Sequence, residues 1–256
     1  MHTSLARRFK YISLCLGTTG LLLAQGPAPK PPKPQLVSFY MVGGQELMGQ
    51  FSKVDKSAHF KFRTATGVQD LTLVPGQPTP AFSREPESTV KIYQEQAAAQ
   101  PGQPPVIVPL AETKVSPKTP RILVLLNLDE TTGQITLQPI KQGFKALPPS
   151  SISFYNQTRT PLTVKIGATE AKIEPRMQAV RPIGLTGEED AMVRIQVAAE
   201  VAGKMQLVSS GAYALSPQDR RIVLLAPGQA SRIRMTLLDS VPAEPDEAEE
   251  TTGANQ

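Results

Sequence analysis

The sequence predicts an all-β chain of two tandem immunoglobulin-like (Ig-like) β-sandwich domains, and three observations carry that expectation. Apolar residues alternate with polar ones in short runs, as in Leu162, Val164 and Ile166 or Ala171 and Ile173. Prolines and glycines break these runs at the spacing of about 8–12 residues that suits a sandwich of short strands. Landmarks of the first half also return, in the same order, in the second.

Three echoes define the repeat. Val37-Ser38-Phe39-Tyr40 returns as Ile152-Ser153-Phe154-Tyr155, and Val90-Lys91-Ile92-Tyr93 as Val193-Arg194-Ile195-Gln196. Ser116-Pro117-Lys118-Thr119-Pro120-Arg121 and its apolar run match Ser216-Pro217-Gln218-Asp219-Arg220-Arg221, which sets Ile122 over Ile222. The first echo is 115 residues apart and the last 100, so the first copy holds extra chain. Gln96 to Pro105, QAAAQPGQPP, has loop chemistry and is the expected insertion.

The strands follow in order. In the first copy they are Leu36 to Met41, Leu47 to Lys53, Ala58 to Arg63, Asp70 to Leu73 and Thr89 to Tyr93. In the second they are Ile152 to Asn156, Leu162 to Ile166, Ala171 to Ile173 and Ala191 to Ala198. The runs Ile122 to Leu126 and Ile222 to Leu225 are apolar on both faces and should be central strands. Closing hairpins pair them with Gln134 to Gln138 and with Ser231 to Leu238. Over Ser88 to Gln100 the alternation of Val90-Lys91-Ile92-Tyr93 favours strand over helix, despite Ala97-Ala98-Ala99.

The resulting division is 1–24 signal peptide, 25–34 Pro/Lys-rich linker, 35–143 first sandwich, 150–240 second sandwich and 241–256 disordered acidic tail. The amino end has Arg7, Arg8 and Lys10 before a largely apolar run from Tyr11 to Ala24, the pattern of an export signal. That run is short for a membrane span and contains Gly17 and Gly20. Gly26 to Pro34 reads GPAPKPPKP, an extended spacer. The lone cysteine, Cys15, lies inside the apolar run, so the processed chain would carry no thiol and no disulfide, cysteine nucleophile or thiolate metal site. An exported protein of the periplasm or the extracellular space is expected. The formal charge of +5 becomes +7 on the body once three N-terminal cations and the five acids Glu244, Asp246, Glu247, Glu249 and Glu250 are set aside.

Little chemistry stands out in the body. His59 is its one histidine; in Ala58-His59-Phe60-Lys61-Phe62-Arg63 it shares the polar strand face with Lys61 and Arg63. Without a second histidine, triads and His-rich zinc sites find no members. Glu188-Glu189-Asp190 reads as a polar hairpin tip rather than a calcium loop. Asn156-Gln157-Thr158 matches a glycosylation triplet, but its place after a strand suits a turn. The absence of Trp leaves little to stack a sugar on. No catalytic, cofactor-binding or metal-binding residue is assigned, and no cofactor.

Phe154, Tyr155 and Asn156, followed by Pro161 to Gly167 and by Ile173 to Pro175, form a pattern that resembles uncharacterised exported bacterial β-sandwich proteins. It is also distantly similar to cell-envelope modules whose first strand ends in an Asn-containing turn before a valine-rich strand. The first copy departs from it, with Met41-Val42-Gly43 where the Asn is expected. The resemblance implies a fold and an exported location, with no reaction. The expected function is therefore a non-enzymatic binding or scaffold module of the cell envelope or exterior, with an envelope protein or a polysaccharide as partner. A weak polyanion or polysaccharide adhesin is one alternative, and a hydrolase with a carboxylate site another. Nucleic acid is not an expected partner, and contact with membrane is expected only through an uncleaved signal segment.

Overall fold

Period-two alternation makes strands, and a strand with one apolar face must lay that face on another sheet. The computed structural model shows this for residues 33–42, 58–98, 100, 102–128, 134–185, 189–228 and 232–238, the residues described below. The expected signal peptide, most of the linker, the strand at Leu47 to Lys53 and the acidic tail lie outside them. The first half contains β1 (Gln35–Met41), β2 (Ala58–Thr64), β3 (Gly67–Leu73), β4 (Phe82–Arg84), β5 (Thr89–Gln96), β6 (Val106–Lys114), β7 (Arg121–Leu128) and β8 (Ile135–Lys141). The second contains β9 (Ser151–Asn156), β10 (Leu162–Ile166), β11 (Thr169–Ile173), β12 (Gln178–Pro182), β13 (Ala191–Val201), β14 (Lys204–Leu215), β15 (Arg220–Pro227) and β16 (Ile233–Leu238). There is no helix among the described residues.

These strands form four four-stranded sheets. Their orders are β4-β1-β7-β8 and β3-β2-β5-β6 in the first half, and β12-β9-β15-β16 and β11-β10-β13-β14 in the second. Adding eight to every strand number of the first half reproduces the second. Even the parallel pair recurs, β1 with β7 and β9 with β15. The order differs from the immunoglobulin one, in which the first, second and fifth strands share a sheet. Here β1 lies across from β2 and β5, because the β2–β3 and β5–β6 hairpins each stay within one sheet.

Each half has its own core between its two sheets. In the first, Phe39, Phe62 and Phe82 meet edge to face, with Phe39 and Phe62 centroids 4.9 Å apart. Val90, Ile92, Ile122, Val124 and Leu126 surround them. In the second, Phe154, Val164, Ile195, Val197, Val223 and Leu225 do the same work. A third cluster lies between the halves: Tyr40, Leu123, Leu125 and Ile140 pack with Tyr155, Ile222, Leu224 and Leu238. This explains the runs that are apolar on both faces. Along β7 and β15 alternate side chains enter a core, and the others enter the seam between the halves.

The ladders match the two halves one residue away from the sequence echo. Leu36 N donates to Pro120 O as Ser151 N does to Asp219 O, and Val42 N donates to Leu126 O as Gln157 N does to Leu225 O. Leu126 thus corresponds to Leu225 and not to Ala226, one residue short of the spacing of 100. The physical reason is that a run apolar on both faces has no alternation to set its phase, whereas a slip of one residue exchanges core for seam. The extra chain of the first half is also placed differently. Residues 42–57 separate β1 from β2, against 157–161 between β9 and β10; residues 97–105 separate β5 from β6, against Ala202-Gly203 between β13 and β14. The expected insertion is thus only the smaller of two. Ala202 and Gly203 both have positive φ, 51° and 75°, as a two-residue hairpin turn of primed type requires.

Candidate binding surface

Most of the buried polar groups are engaged in holding the fold, whereas the Gln157 side-chain amide is buried without a hydrogen-bond partner. Gln35 and Arg84 close one end of the first sandwich: Arg84 Nε and Nη2 donate to Gln35 Oε1 at 2.9 and 2.6 Å, and Arg84 Nη1 donates to Thr89 O at 2.7 Å. Gln35 Nε2 donates in turn to Thr119 O at 2.7 Å. Arg220 pins the connection between the halves, its Nε and Nη2 donating to Leu147 O and Gln142 O at 2.6 Å each, above the Phe144 ring. Asn156 is fully buried. Its Nδ2 donates to Thr160 O and Ile173 O, and its Oδ1 accepts from Thr158 N and Thr158 Oγ1. The triplet is therefore an Asx turn tying three segments together, as its position after a strand suggested, and its amide is closed to a glycosylating enzyme in the folded state.

The residues singled out in the sequence are not brought together. His59 is exposed on β2, with Nδ1 3.3 Å from Thr72 Oγ1, while Phe60 and Phe62 are buried as expected. Glu189 and Asp190 are exposed between β12 and β13, and Glu188 lies outside the described residues. No carboxylate is buried among the described residues, and no three His, Cys, Asp or Glu side chains among them are grouped to hold a metal. The basic character of this sheet face is largely spent in ion pairs. Lys61 Nζ lies 2.6 Å from Asp70 and 3.1 Å from Glu95, and Lys91 Nζ 2.9 Å from Glu112. The hydrogen bond from Lys61 holds the Asp70 carboxyl below the usual carboxylate range, and that same bond raises the lysine.

What distinguishes one part of the surface is a difference between the equivalent halves. On one side of the first sandwich the edge strands are β6 and β8, and each carries a proline: Pro109, which follows the bulge in the β5–β6 ladder, and Pro139, opposite Val124. In the second sandwich the partner of Gln196, the counterpart of Tyr93, is Ser210, and the place of Pro139 is held by Leu237, opposite Val223. Proline is tolerated in an edge strand only where its nitrogen points away from the ladder, and there it blocks the addition of another strand. By the shared register of the two ladders, the amide N–H of Leu237 points outward. Burial differs in step. Ile135 and Leu137 of β8 are 8% and 7% exposed, whereas their counterparts Ile233 and Met235 of β16 are half-buried, like Leu237, Val208 and Tyr213. Met205 and Leu207 on β14 are 58% and 61% exposed.

No protein-family model matches this chain, and no curated protein matches it in sequence. No helix among the described residues is long and apolar enough to cross a membrane.

Sequence reasoning missed both β6 and β14, and with them the contrast between the edges. A signal was present. Ala202-Gly203 marks a hairpin turn, and the alternation of Val208, Tyr213 and Leu215 with polar or small residues marks a strand, but the bulge shifts its phase part-way along.

Proposed function

We propose that this chain is a tandem duplication of one eight-stranded sandwich, exported from the cell, in which the first copy serves as a closed structural partner and the second presents an open edge for binding. The observation that carries the reading is the replacement of Pro139 by Leu237 at equivalent positions of the edge strands β8 and β16. An edge strand without such a block is a template for further pairing. A fold that guards this side in one copy and leaves it open in the other has a use for the opening. The absence of thiols beyond residue 15 and the basic, then apolar, amino end support export. The cationic side chains bridged to Asp70, Glu95 and Glu112 weigh against a polyanion adhesin on that face.

The test is site-specific photo-crosslinking in cells. A crosslinker at Met235 should trap a protein from the exported fraction, while one at Lys172, on the far edge of the other sheet, should not. Equal yields at both positions, or recovery of the chain only from the cytoplasm, would overturn the reading.

A further inference from the structure

The side chains along β16 specify what would pair with it. Its sequence, Ile-Arg-Met-Thr-Leu-Leu, sends Ile233, Met235 and Leu237 toward the core of the second sandwich, and Arg234 and Thr236 to the opposite face. Arg234 is exposed, and it alternates on β16 with Leu238 of the cluster between the halves, which places it on the face turned toward the first half. Arg232 precedes the strand and is exposed as well. Neither arginine forms an ion pair among the described residues. Neither β14 nor β16 contains an acidic residue, and Lys204 adds a further positive charge at the start of β14.

In an antiparallel or parallel ladder, directly opposed residues share a face, and opposite charges or apolar pairs placed there attract. A strand laid along β16 would set every second side chain against Ile233, Met235 and Leu237, where the sandwich is half-open. The intervening side chains would sit beside Arg232 and Arg234. We infer that the open edge of β16 takes an extended segment of another protein in which apolar residues alternate with acidic ones. This rests on the binding reading above and gives it a ligand chemistry. The first half shows what covering looks like: Ile135 and Leu137, the counterparts of Ile233 and Met235, are buried with Leu110 and Ala111 packed on the same core. The acidic residues of the chain's own end carry the right charge, but Val241-Pro242-Ala243-Glu244-Pro245 lacks the apolar alternation and breaks a ladder with two prolines.

The experiment uses the purified full chain and fluorescent peptides of about ten residues, read by anisotropy. One alternates Val with Glu, one alternates Val with Lys, and one is the Val/Glu peptide with a central proline. The Val/Glu peptide should bind about three- to tenfold more tightly than the Val/Lys peptide, the range expected from two cross-strand charge pairs. Arg234→Glu should reverse that preference. Leu237→Pro should abolish binding and still fold, since the first half carries proline at the same place. Equal affinity for both charges, or no binding by a chain whose circular dichroism is that of folded sheet, overturns the inference. So does self-association that Leu237→Pro abolishes, which would make a second copy the occupant. Binding that appears only once residues 239–256 are removed also overturns it, by making the tail the occupant. If the peptides fail while Met235 still traps a partner in cells, the ligand chemistry is wrong and the binding reading stands.

Discussion

Leu224→Ala tests whether the two halves hold each other. Leu224 lies on β15 and is 2% exposed, packed in the cluster that Leu123, Leu125 and Ile222 share between the halves. Had each sandwich stood alone, this side chain would face water, and its truncation would cost no more than about 0.5 kcal/mol, as at an ordinary surface site. Buried as it is, losing three carbons removes the transfer free energy of those groups and leaves a cavity between two stiff sheets. Buried leucine truncations cost roughly 2–5 kcal/mol, and a value of about 3 kcal/mol is expected. For a folded unit of this size that corresponds to a fall in Tm of roughly 6–12 °C. Thermal and urea unfolding followed by circular dichroism would measure it, with Val223→Ala on the core face as the comparison and Lys172→Ala as the surface control. A Leu224→Ala loss indistinguishable from that of Lys172→Ala would refute the packing of the halves and the explanation of why β7 and β15 are apolar on both faces.

Three further outcomes are expected. Gln35→Ala should destabilise the first half by about 3 kcal/mol in urea unfolding, because two hydrogen bonds to the buried Arg84 guanidinium are lost and a cation remains. Burial raises the Tyr40 and Tyr155 phenols, with Arg234 and Arg176 pulling partly the other way. Their contribution is therefore complete below the ordinary tyrosine pKa of about 10 and is lost as pH rises through the raised folded values. Urea midpoints should fall steeply in that alkaline window, and less so in the Tyr40→Phe, Tyr155→Phe double variant. The Asp70 carboxyl, followed by NMR, should titrate below the usual carboxylate range and move up toward it in Lys61→Ala; no movement would show that the Lys61 bond does not persist in solution.

Much of the fold was legible in the residues, for a physical reason. Where one strand face is wet and the other dry, alternation reports both the strand and its inward side. Phe60 and Phe62 against His59, Lys61 and Arg63 show this on β2, and Leu162, Val164 and Ile166 on β10. The pattern became silent where that contrast ends. Residues in β7 and β15 are buried on both sides, so their phase, and with it the register of the repeat, was one residue out. β6 and β14 lie at sheet edges with both faces partly exposed, and their bulges shift the alternation midway. The contrast between the edges was hidden for a related reason. Pro139 and Leu237 are unremarkable in the sequence, and become comparable only once ladders place them opposite Val124 and Val223.

Local chemistry along the chain was thus enough to determine that this protein is built of sheets and which of its strands are central, since backbone sterics and water act on each stretch by itself. Tertiary structure decided how the copies differ. Which apolar residues join a core and which join the seam, and which edge is stopped by proline and which is open, depend on neighbours far away in sequence. Pairing across the ladder is what brings those neighbours together.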